Sequence, residues 1–223
     1  MLKKTKDQLD VGLHGATFAD EHPDANPIIT AAGTNLAGLN DRGITLAGQL
    51  EAADYNRQAA IAGRVRVEES INRRLRAVQN IAVYAALRQP EAAIRFRMPG
   101  EKGGMRGYAS RVRGVLKVVN ANRELLLTYG MPDTMPEELQ ADLEQFERFV
   151  EQGAVAQHAR AELREQLAEV ARQLMQGVRH LDGLYRIRHA GNLELLNAWR
   201  RVIALPVRGV KQEEGPASNR PAA

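Results

Sequence analysis

The residues able to do chemistry are few in kind: five histidines, 27 carboxylates, 31 cations, three serines (Ser70, Ser110, Ser218) and no cysteine. In helical scaffolds, metal and redox chemistry usually rests on Glu-x-x-His pairs, whose i, i+3 spacing puts both ligands on one inward face. His158, His180 and His189 are preceded three positions earlier by Val155, Gly177 and Arg186, so that motif is missing. His158 and Glu162, four apart, read as a surface pair. The stretch Asp20-Glu21-His22-Pro23-Asp24 holds ligand-type groups but no second ligand set at a defined spacing. Without cysteine, thiol catalysis, disulfides, Fe–S clusters and Cys-ligated zinc are excluded. Glycines 100, 103, 104 and 107 lack the Lys-Ser/Thr that completes a phosphate-binding loop, and no Gly-x-Ser-x-Gly elbow occurs. The expectation is a protein that is not an enzyme and holds no metal and no cofactor.

One cluster carries binding chemistry instead. Arg95, Arg97, Lys102, Arg106, Arg111 and Arg113 surround that glycine-rich stretch and are interleaved with Phe96 and Tyr108. Cations on a pliable backbone follow phosphates, and aromatic faces stack on bases, which makes these the candidate nucleic-acid-binding residues. No recognised nucleic-acid module accompanies them, and a solvated basic loop is the competing reading. Charge is also unevenly placed along the chain. Residues 57–117 carry 14 basic and 4 acidic groups, whereas 133–172 carry 4 basic and 10 acidic. Either the two blocks pair inside the fold or the basic block serves a polyanion; internal pairing is the favoured expectation.

These groups must be carried by helices. Aromatics number only ten and Gly plus Pro 28, a composition suited to long helices on narrow seams. Asn26-Pro27 is a helix start, with a capping side chain and then a residue of pre-set φ. From there Ala32, Leu36, Leu39, Gly43, Leu46, Leu50 and Ala53 alternate steps of four and three, an amphipathic seam that continues through Arg57, Ala60, Arg64, Val67 and Ile71. Leu36, Leu39, Leu46, Leu50, Arg57 and Arg64 are the candidate self-association seam. Gly33, Gly38, Gly43 and Gly48 weaken this helix and mark where a break is expected. A shorter helix is expected over 108–129, with Val112, Val115, Val119, Asn122 and Leu126 on one face. A second long helix should begin after Thr134 and run toward Leu205, with bends or breaks at Gly177, Gly183 or Gly191. Trp199, in an amphipathic segment beside Arg200 and Arg201, reads as core, with a partner-facing or membrane-surface helix as the other option.

The sequence therefore predicts an all-α fold: an elongated antiparallel bundle of two long helices, each open to a break, and a shorter one over 27–205, a mostly irregular N-terminal arm over 1–26 with at most a short helix near Gln8–Phe18, and a disordered tail over 206–223. The longest apolar run, Ile81 to Leu87, is far short of a membrane span. With no apolar h-region following the basic start, a cytoplasmic protein is expected. Two long helices cannot cover both faces alone, so a homo-oligomer is expected, with a further protein partner open. The leading function is a non-enzymatic scaffold or assembly subunit; the alternative is a polyanion-binding protein, for nucleic acid, using the basic 57–113 segment.

Overall fold

The computed structural model describes residues 3–90, 94 and 104–204. Their regular structure is all helical: α1 (Lys3–Glu21), α2 (Pro27–Arg88), α3 (Gly104–Ala121), α4 (Arg123–Thr128), α5 (Met135–Arg188) and α6 (Leu193–Ile203). The helix starts follow from local chemistry. Asn26 Oδ1 accepts from the Ile28 N–H at 2.9 Å, and Pro27 needs no partner at the first helical position. Before α5, the Thr134 hydroxyl donates to Glu138 Oε1 at 2.8 Å, with Glu137 and Glu138 in the first turn. Asn192 Oδ1 accepts from the Leu195 N–H at 3.1 Å and opens α6. Gly130, at φ +92°, turns the chain after α4 in a conformation that disfavours any side chain.

Three expectations are corrected here, and a fourth is met in part. The N-terminal arm is not irregular: α1 is a 19-residue helix burying Val11, Ala16 and Phe18 together with Gly12 and Gly15. Its buried face is partly glycine, so it has too little apolar bulk to register as a periodic stripe. The glycines of α2 do not interrupt it, and its 62 residues form one helix. The second helical stretch breaks at the last of its three glycines: α5 ends at Arg188, and Gly191 and Asn192 separate it from α6, which runs to Ile203. The helix expected over 108–129 starts earlier and divides at Asn122, whose side-chain amide donates to the Val118 carbonyl at 2.8 Å and competes with the backbone ladder. The expected tail over 206–223 lies outside the described residues.

α2 and α5 run antiparallel. In the contacts between them, the α2 number falls from Arg74 through Gly63 to Asp54 as its α5 partner rises from Glu138 through Phe149 to Arg160. The chain divides into two compact units, one drawn from Met1–Gln49 and Leu163–Ala223, the other being Leu50–Glu162.

The first unit contains α1, α6 and the adjoining ends of α2 and α5. Leu36, Leu174, Leu181, Tyr185 and Trp199 are fully buried in it. Phe18, Tyr185 and Trp199 form an aromatic cluster with centroids 4.9–6.0 Å apart. Trp199 Nε1 donates to Asp182 Oδ1 at 3.1 Å, which satisfies the one polar atom of this core side chain.

The second unit packs α3 and α4 on the rest of α2 and α5. Its core runs through Val67, Ile71, Leu75 and Val78 of α2, Val112, Val115 and Val119 of α3, Leu126 of α4, and Leu139, Leu143 and Phe146 of α5.

Candidate interaction surfaces

The heptad stripe of α2 faces inward. Leu36, Leu46 and Leu50 are 0–5% exposed within a single chain, and Leu39, Arg57 and Arg64 are half-buried. A methyl group on Gly177 would lie 2.9 Å from Leu36 Cδ1, so α5 itself fills that part of the seam. The stripe expected to meet a second copy is thus largely covered by the chain's own helices. Arg57 and Arg64 bury their Nε atoms without a hydrogen bond.

Of the six candidate nucleic-acid-binding residues, Arg95, Arg97 and Lys102 lie outside the described residues. Arg106, Arg111 and Arg113 belong to α3, so they sit on helix and not on loop. Arg113 is ion-paired with Glu147, whereas Arg106 is exposed. Tyr108, read as a stacking residue, is buried: its hydroxyl donates to Asn72 Oδ1 at 3.0 Å and its ring lies 5.1 Å from that of Phe146. Burial, and then Glu68, push its phenol well above the ordinary range.

Internal charge pairing is real but partial. Arg74 bonds Glu138 through Nε (3.0 Å) and Nη2 (2.7 Å) and also meets Asp142. Glu138 is held below the ordinary carboxylate range, first by Arg74 and then by Thr134. Arg113 of the basic block likewise meets Glu147 of the acidic one. Arg123, by contrast, lies outside the basic block and reaches Asp133 and Glu137, and Arg160, itself within the acidic block, meets Asp54. Farther along α5 the acids turn to their own helix, Glu162 to His158 and Glu169 to Arg172. Arg66, Arg73 and Arg76 are exposed, with no ion pair among the described residues. Sequence reasoning overlooked these three as a group. The available signal was their spacing of seven and three, on the face opposite the heptad stripe.

Within the second unit, α2 and α5 leave an open, largely apolar groove of about 660 Å³, with Asn56 and Gln152 among its polar lining. Ala53, Ala59 and Ala60 line one wall; Phe149, Val155, Ala156 and Ala159 line the other. Val155 is 65% exposed there. Arg148 and Glu151, one turn apart on the α5 wall, have no ion pair among the described residues.

Among the described residues no group of three His, Asp or Glu is placed to hold a metal ion, and no helix is long and apolar enough to cross a membrane. Comparison with known protein families, characterised proteins and solved structures finds no significant similarity to this chain.

Proposed function

We propose that this protein is a non-enzymatic helical scaffold or assembly subunit that works by self-association of helix faces. The groove between residues 53–60 of α2 and 148–159 of α5 carries this reading. Its alanine-lined walls let a further helix approach to the 8–10 Å typical of helix packing. Opposite charges one turn apart on one wall suit a second copy as the occupant. Laying two α5 helices antiparallel across a twofold axis sets Arg148 of each copy against Glu151 of the other, the reciprocal pattern of an isologous interface.

Sedimentation at micromolar concentration tests this. The expected result is a discrete oligomer for the natural chain. Arg148→Glu and Glu151→Arg should each weaken it by setting like charges together, and combining them in one chain should restore it. A single monomeric species would overturn the assembly reading. An oligomer indifferent to all three variants would keep assembly but remove this groove from it.

A further inference from the structure

We propose that the outward face of α2 between Arg66 and Asn80 is a binding site for the phosphodiester backbone of nucleic acid. At about 100° per residue, Arg66, Glu69, Arg73, Arg76 and Asn80 fall within an arc of about 80°, turned away from the Val67–Ile71–Leu75–Val78 core face. All five side chains are exposed. The fold has sorted the arginines of this helix. Arg74, rotated toward α5, takes up Glu138 and Asp142, and the three outward arginines are left without a carboxylate among the described residues. Glu69 is the single acid of the stripe.

The surface also has the form such a ligand needs. Glu69, Asn72, Arg73, Arg76, Ala77 and Asn80 line a shallow hollow of about 570 Å³. Arg66 to Arg76 spans about 15 Å of helix, roughly four successive phosphates of one strand at about 3.4 Å each. An α-helix also fits the major groove of duplex DNA, where its flanking arginines reach the backbone. A lipid surface is the less suitable polyanion. Between Arg66 and Asn80 the stripe offers no large apolar side chain to insert; the exposed Val83, Tyr84 and Leu87 follow it toward the end of α2, whereas interfacial helices set an apolar face alongside their cations. This site is independent of the assembly groove, with which it shares no residue.

The test uses the full chain and a labelled duplex of about 24 base pairs, with anisotropy titrations from about 50 to 300 mM salt. Binding should weaken steeply with salt. Arg66→Gln/Arg73→Gln/Arg76→Gln should lower the slope of log K against log salt by about 2.7, at about 0.9 for each phosphate no longer neutralised. Its affinity at about 50 mM salt should fall at least about tenfold. The control Arg42→Gln/Arg164→Gln/Arg179→Gln removes the same charge from exposed positions elsewhere and should leave the slope unchanged. Both triple variants should melt with the natural chain, since all six side chains are exposed. No duplex binding at about 50 mM salt, or equal losses in the two triple variants, would overturn the proposal. So would binding to vesicles containing phosphatidylserine without binding to duplex.

Discussion

Arg74 shows how much a single rotation about a helix axis decides. Its neighbours Arg73 and Arg76 are solvated, yet Arg74 gathers two carboxylates from α5. Glu138, held below the usual carboxylate range by Arg74 and then Thr134, makes this testable. A carboxyl whose folded-state pKa is depressed contributes stability above its unfolded value, near 4.3, and loses it as pH falls through the folded value. Glu138→Gln should therefore lower the urea midpoint at pH 6, and the gap to the natural chain should close as pH approaches about 3. The effect will be small, because Glu138 is 45% exposed and screened. A gap that stays constant over that range would show that Arg74 does not favour the ionised form. In sequence, the spacing of these arginines is visible, but which of them meets acid depends on where α5 lies.

The glycines make the same point for elements. Gly33, Gly38, Gly43 and Gly48 are indistinguishable in sequence, but a methyl group on Gly38 or Gly48 would meet nothing within 4 Å. On Gly43 it would lie 2.8 Å from Leu9. Gly38→Ala and Gly48→Ala should each raise unfolding free energy by about 1 kcal/mol, the propensity difference in a helix interior. Gly12→Ala should do the opposite. Its methyl would lie 2.8–3.1 Å from three atoms of Leu174, a fully buried side chain that would have to shift within the core. Overpacking of that kind costs about 1–3 kcal/mol and exceeds the propensity gained. Denaturant titration of the three variants gives the sign directly. A stabilised Gly12→Ala protein would mean that α1 is not packed on Leu174.

At the scale of the whole molecule, burial separates residues that close the chain from residues left to meet others. Leu36 and Leu75 are fully buried. Leu36→Ala and Leu75→Ala should each cost about 2–5 kcal/mol of stability while leaving the particle mass of the folded protein unchanged. Val155→Arg should behave in reverse, lowering the particle mass with little change in melting, since a charge at this exposed groove position burdens only an occupied interface. Calorimetry and sedimentation on the three variants separate the two roles. If Leu36→Ala dissociated the particle without destabilising the chain, the α2 stripe would be a subunit interface after all.

What the sequence determined by itself was the local part: an all-helical chain, the starts at Asn26 and Thr134, the stripe from Leu36 through Ile71 and the uneven charge. Capping, propensity and periodicity act over a few residues, so their record is in the order of the residues. The tertiary structure decided everything that depends on a distant partner. It made α1 a helix whose partly glycine face packs on Leu174 at Gly12 and on Leu36 at Gly15. It kept α2 continuous through five glycines, three of which (Gly33, Gly43 and Gly63) have close neighbours. It turned the heptad stripe inward and divided the arginines of α2 between carboxylates and solvent. Periodicity records that a face exists. Which residues cover that face depends on chain segments as distant as Gly177 is from Leu36, and only folding brings them together.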